Sequence, residues 1–247
     1  MTERQLRNTL DDFAARGIVA DLWLRDDDAV LPSIDLDRLL ASAADHQVPI
    51  TLAVIPQPTG TQLARRLERT DGVTIAVHGY AHQNHAREAE KKRELGLHRP
   101  KSVVLDEVSK GLSKLTALYP EQLLPLLVPP WNRIDDEIAA ALPALGFRAV
   151  SVFGPEISGA IDQLNTHIDV IDWRGSRGGR DHDVLFAETA TRLRIAAKTG
   201  LSTGILTHHL VHDEAVWSFL TRLFALTASH PGCRWRAAGA LLAASSP

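Results

Sequence analysis

The sequence of 247 residues contains a single cysteine, Cys233. An intrachain disulfide is therefore excluded, and so is any zinc site built from several cysteines. No run of eighteen apolar residues occurs, so no membrane span is expected. Basic residues are not in excess: 27 Lys and Arg face 30 Asp and Glu, for a net charge of −3. A sequence-independent grip on nucleic acid needs concentrated Lys and Arg, and none is expected here. The one dense basic cluster, Lys91-Lys92-Arg93, is flanked by Glu90 and Glu94 and reads as a solvated face. Residues 1–5 open an amphipathic stretch without the apolar core of a secretion signal, which gives the expectation of a cytoplasmic protein. No Pro/Ser-rich linker or compositional step divides the chain, so 1–247 reads as one domain.

What is present is a regular alternation, with 45% hydrophobic residues available for a core. Short apolar runs at 20–24, 49–55, 73–77, 123–128, 147–153, 168–171 and 204–207 read as strands. Between them, three-to-four spacing predicts helices at 34–46, 61–69, 102–118, 135–145, 184–198 and 213–228. Strands alternating with helices argue for an α/β fold with a parallel sheet closed or nearly closed into a barrel. The polar stretch 78–100 is long for a connection and is suspect of function.

The unusual polar residues sit where strands end. Asp26-Asp27-Asp28 follows the first run, His78 the third, Asn132 and Arg133 the fourth, Asp172 the sixth and His208 the seventh. In a βα barrel such exits share one rim, the rim on which active sites are built. His78 and His82 form an H-x-x-x-H pair, which helical spacing would place on one face. Two histidines and a carboxylate make a common ligand set for a hydrolytic divalent metal with a position left for water. Three adjacent carboxylates repel one another unless a cation or arginine compensates. One as a metal ligand and its neighbour as a proton acceptor would fit that pattern.

These residues resemble the polysaccharide deacetylase family, which includes chitin and peptidoglycan deacetylases (carbohydrate esterase family 4). Arg25-Asp26-Asp27-Asp28-Ala29 resembles the family's T-F-D-D-G segment, and His78-Gly79-Tyr80-Ala81-His82 its H-S/T-x-x-H. Val128-Pro129-Pro130-Trp131-Asn132 resembles R-P-P-x-G/Y, Asp169 to Trp173 resembles D-x-x-D-W, and Leu206-Thr207-His208 the final L-x-H. The resemblance implies a distorted (β/α)₇ barrel and a divalent metal, most often Zn²⁺. It implies Asp28, His78 and His82 as ligands, Asp27 as base and His208 as the acid. In this register the small Ala29 takes the family's glycine position; a register using Asp26 and Asp27 stays open, as does His209 in place of His208. Asp172, or else Asp169, would orient that histidine. Trp173 would wall an acetyl pocket together with Trp131, and Asn132 would serve the oxyanion through its N–H or its amide.

The chain departs from the pattern at Val128, where the family has arginine; Arg25 or Arg133 could supply that charge. Arg174, Arg177 and Arg180 in a glycine-rich loop could read an anionic group. The implied reaction is removal of an N- or O-linked acetyl group from a small or oligomeric sugar derivative. Hydrolysis of a cyclic amide or ureido compound, and a non-catalytic sugar-binding barrel, are the rival readings.

Overall fold

The computed structural model describes residues 2–244. In chain order its elements are α1 (Thr2–Ala15), β1 (Ala20–Ala29), α2 (Ile34–Asp45), β2 (Ile50–Val54), α3 (Thr61–Leu67), β3 (Val73–His78), α4 (Lys101–Leu118), β4 (Leu123–Val128), α5 (Asp136–Ala139), β5 (Ala149–Val150), β6 (Asp162–Gln163), β7 (Ile168–Asp169), α6 (His182–Thr199), β8 (Thr203–Thr207), α7 (Glu214–Thr227), β9 (Cys233–Trp235) and α8 (Ala238–Ala244). The strand order is β6-β5-β4-β3-β2-β1-β8-β7, with β9 paired to β1. The alternation expected from the sequence is thus present as a parallel α/β sheet. Among the described residues no helix is long and apolar enough to cross a membrane.

Two compact units emerge. Among the described residues the first comprises 2–26, 33–51 and 166–244; the second comprises Asp27–Pro32 and Leu52–Asn165. In the first, β1 runs parallel to β8 and to β9, with Asp26 opposite Thr207. Trp23, Phe186, Phe219 and Phe224 are fully buried there. Side-chain caps start three of its helices, α2, α6 and α7: Ser33 Oγ accepts from Leu36 N, and Asp181 and Asp213 accept from Val184 N and Val216 N. Each such cap satisfies one of the amides that a helix start leaves open.

In the second unit β3, β4, β5 and β6 pair in succession, all parallel. Helix α4 buries Val104, Val108, Gly111 and Leu115, one face at three-to-four spacing.

Three expectations need correction. β1 does not stop at Leu24 but continues through the aspartate triplet to Ala29. Successive strand side chains face opposite sides, so three adjacent carboxylates need not meet one another. The helix expected at 135–145 is broken into α5 and a 3₁₀ turn at Leu142–Leu145, with Pro143 inside that turn. The strands β6 and β9, two and three residues long, were not anticipated.

Candidate metal and proton-transfer site

The second unit gathers Asp28, His78 and His82, whose donor atoms all lie within 4.8 Å of one another. His78 ends β3 and is buried; its Nδ1 donates to the Val128 carbonyl at 2.9 Å, and its Nε2 lies 3.0 Å from Asp28 Oδ1. His82 Nε2 lies 3.3 Å from the same oxygen. A carbonyl only accepts, so the Val128 contact fixes the proton on His78 Nδ1 and turns the Nε2 lone pair toward the carboxylate. Two acceptors face each other there unless a cation, either a proton or a metal ion, stands between them. Burial works against protonating His78, yet the Asp28 hydrogen bond and the charges of Asp27 and Asp28 raise its pKa overall. His82 is pushed the other way, by burial and by the neighbouring His78. A carboxylate oxygen and two imidazole nitrogens converging in this way suit a divalent ion with N/O preference.

Helical spacing does not bring the two histidines together, because residues 79–82 form no helix. A turn does so, around a carboxylate that sequence reasoning had placed in solvent. Glu94 is 1% exposed, and its two oxygens accept from the backbone N–H of Tyr80, Ala81 and Gln83 at 3.1, 2.8 and 3.3 Å. Gly79 is required beside it: a Cβ there would lie 2.0 Å from Glu94 Oε2 and 2.6 Å from Pro130 Cγ, at φ +57°. Of the six non-glycine residues at positive φ among the described residues, four cluster here: Asp28, His82, Trp131 and Asn132. Such backbone is costly and persists where surrounding structure fixes it, most often at functional sites.

The remaining candidates in this unit divide. Asp27 is buried and acts electrostatically on His78. Trp131 packs its ring 4.4 Å from that of His82. The Asn132 backbone N–H donates to the Pro129 carbonyl at 2.9 Å. Arg133 donates to the Lys92 carbonyl at 3.0 Å and so ties down the basic cluster.

In the first unit, Asp26 is fully buried. Its Oδ2 accepts from Thr207 Oγ1 at 2.7 Å and His209 N at 2.8 Å, and its Oδ1 pairs with His209 Nδ1. Burial would raise the pKa of Asp26, but the charge and hydrogen bond of His209 outweigh it and hold it below the usual carboxylate range. With His209 so engaged, His208 is the more accessible of the two. Its ring meets that of Trp173 edge-on at 4.8 Å, and Trp173 Nε1 donates to Asp169 Oδ2 at 2.8 Å. Asp172 instead accepts from Gly175 N and Ser176 N in its own loop. Arg180 is likewise occupied, by the Asp169 carbonyl and by Glu188.

No protein-family model matches the chain, and no curated protein matches it by sequence. Solved structures do match. A candidate polysaccharide deacetylase from Mycobacterium smegmatis superposes with a TM-score of 0.71 at 14% identity, over 92% of this chain and 90% of the other. A family 4 carbohydrate esterase from Streptomyces lividans, in complex with acetate, gives 0.57 at 15%, over 87% and 91%. A family 4 acetyl xylan esterase from Clostridium thermocellum, in complex with a cobalt ion, gives 0.53 at 15%, over 91% and 91%. The chain has the fold of these proteins, the distorted (β/α)₇ barrel of the polysaccharide deacetylase type.

Proposed function

We propose that this protein is a metal-dependent hydrolase that removes an N- or O-linked acetyl group from a carbohydrate or sugar derivative. The observation that carries the reading is the convergence of Asp28, His78 and His82 at one point of a deacetylase fold. Acetate and a cobalt ion, bound to two proteins of the same fold, are consistent with it. The single-domain reading of 1–247 belongs to the same proposal.

A divalent ion, for which we propose Zn²⁺, would be held by those three residues; when bound it polarises a carbonyl and makes water a competent nucleophile near neutral pH. The chain's own groups do the rest. Asp27, adjacent to the ligand Asp28, takes the proton of the attacking water. The Asn132 amide donates to the developing oxyanion. Trp131 provides an apolar wall beside His82, and Trp173 one beside His208. His208 protonates the departing amine or alcohol. We assign its support to Asp169 through Trp173, while Asp172 shapes the loop 172–176 and Arg133 braces the loop at Lys92. The register with Asp28 as ligand is favoured because Asp26 is already committed to His209 and Thr207.

The test is reconstitution of metal-free protein with Zn²⁺, elemental analysis, and acetate release from acetylated sugars beside five-membered cyclic ureides. Near-stoichiometric metal, lost in His78→Ala, with acetate released only by the loaded wild type, is expected. Equal metal content in both proteins sinks the ligand assignment. Turnover of the ureide alone moves the reaction to the cyclic C–N bond.

A further inference from the structure

In the second unit a recess of about 490 Å³ has His82 among its walls, together with Gln57, Tyr80, Gln83, His85 and Glu107. Its frame is fixed. Gln57 N donates to the Tyr80 carbonyl at 2.7 Å, and Lys114 Nζ donates to the Gln57 carbonyl at 3.0 Å. Helix α4, which carries Glu107, comes close because of Gly111: a Cβ there would lie 3.0 Å from Pro56 Cγ and 3.4 Å from the Gly79 carbonyl oxygen.

The chemistry of the walls is neutral and rich in hydrogen-bonding groups. Among the described residues, the side chains of Gln57, Tyr80, Gln83 and His85 have no hydrogen-bond partner within the protein. The carboxylate in the recess is already spoken for, because Arg99 holds Glu107 through two nitrogens at 2.9 and 2.7 Å. No lysine or arginine lines the recess. Burial lowers the pKa of His85, with the Arg99 charge acting in the same direction, so a neutral ring is favoured. Primary amides donate and accept at once, which matches the paired hydroxyls of a sugar, and a tyrosine adds an apolar ring with a polar tip. The volume is within the roughly 300–1000 Å³ of small-molecule sites.

We infer that this recess is a subsite for a neutral sugar residue adjoining the acetylated one, with Gln57 and Gln83 as its specificity-determining side chains. The inference rests on the sugar-deacetylase reading. It makes the substrate an oligosaccharide or glycoside rather than a free monosaccharide, and it disfavours uronic acids, for which the recess holds no unengaged cation.

The test uses Zn²⁺-loaded full-length protein titrated with N,N′-diacetylchitobiose, xylobiose and digalacturonate, followed through the side-chain amide resonances of Gln57 and Gln83. Saturable shifts with the neutral disaccharides are expected. In Gln57→Ala/Gln83→Ala, with wild-type circular dichroism and metal content, binding should weaken about tenfold, as loss of two ordinary hydrogen bonds implies. Digalacturonate should bind at least as poorly to the wild type. Saturable binding that leaves both amides unmoved, or no saturable binding by either neutral sugar, overturns the inference. Acetate release from 4-nitrophenyl acetate is followed in parallel. Ester turnover without sugar at the recess removes the subsite alone. Sugar at the recess with no acetate released from any substrate keeps the subsite and removes the hydrolase reading.

Discussion

Buried carboxylates lie beside the candidate chemistry in both units, and two of them, Glu94 and Asp26, are satisfied in opposite ways. Glu94, in the second unit, is surrounded by backbone amides and takes three N–H bonds from the turn that carries His82. Asp26, in the first, is matched to a side chain, His209, with a hydroxyl and one backbone N–H completing its shell. Backbone donors cannot titrate and arrive only when the turn is formed, so Glu94 specifies a conformation. An imidazole partner brings charge, so Asp26 couples folding to electrostatics. The metal-side carboxylate should therefore govern local geometry, and the other global stability.

The largest effect should come from breaking the Asp26–His209 pair. Removing one partner of a buried pair strands the other, at about 3–5 kcal/mol. Asp26→Ala should lower the denaturation midpoint accordingly, while Asp26→Leu/His209→Met should recover much of the loss. Equal destabilisation in the single and double variants would show that the pairing is not what matters. Next comes His212, whose ring packs edge-on against Trp217 and whose ring nitrogens have no hydrogen-bond partner among the described residues. Burial, outweighing the attraction of Asp26, pushes its pKa down to about 4. Between pH 6.5 and 4 the unfolded chain takes up a proton that the folded chain refuses, so stability contributed by a neutral His212 is lost as pH falls through that window. The loss should approach about 3 kcal/mol at pH 4 and be absent from His212→Phe. Parallel pH–stability curves for the two proteins would refute it.

The same contrast explains what the sequence disclosed. Periodicity located the strands that became β1 to β5, β7 and β8, and family motifs pointed to Asp28, His78 and His82 before any geometry was available. Periodicity could not extend β1 through Asp26-Asp27-Asp28, since charge in a strand interior reads as its end. It could not find Glu94 either. Next to Lys91-Lys92-Arg93 a glutamate looks solvated, and what buries it is a set of amide hydrogens that converge only in the folded turn. The available signal was indirect: an over-long polar segment opening with a glycine directly after a strand. The histidine pair was foreseen through helical spacing, whereas positive φ at Gly79 and His82 produces it. At Val128 the departure from the family's arginine drew attention to the side chain, while it is the carbonyl that holds His78.

Glu94→Gln sharpens the comparison from the metal side. An amide keeps one acceptor oxygen but turns an NH₂ toward backbone donors, so the turn loosens without emptying the site. Partners that orient metal ligands commonly contribute 10- to 100-fold in affinity, or about 1.4–2.7 kcal/mol. Zn²⁺ affinity measured by chelator competition should fall by that factor, with the melting temperature of the metal-free protein changed less than in Asp26→Ala. If affinity holds and stability falls instead, the assignment of local and global roles is reversed.

The smallest expected effect lies at Asp169. Its carboxylate fixes Trp173, which is 41% exposed, against the edge of His208, so the contact orients a surface ring rather than filling a core. A half-exposed hydrogen bond of this kind contributes about 1 kcal/mol. Asp169→Ala should therefore barely move the melting temperature but should broaden the tryptophan environment, seen as faster acrylamide quenching. Under the proposed role of His208, which Trp173 frames, any loss of turnover should fall on kcat more than on KM. An Asp172→Ala variant is the control, since its carboxylate bonds only its own loop among the described residues. If Asp172→Ala lowers kcat and Asp169→Ala does not, the orienting role returns to Asp172.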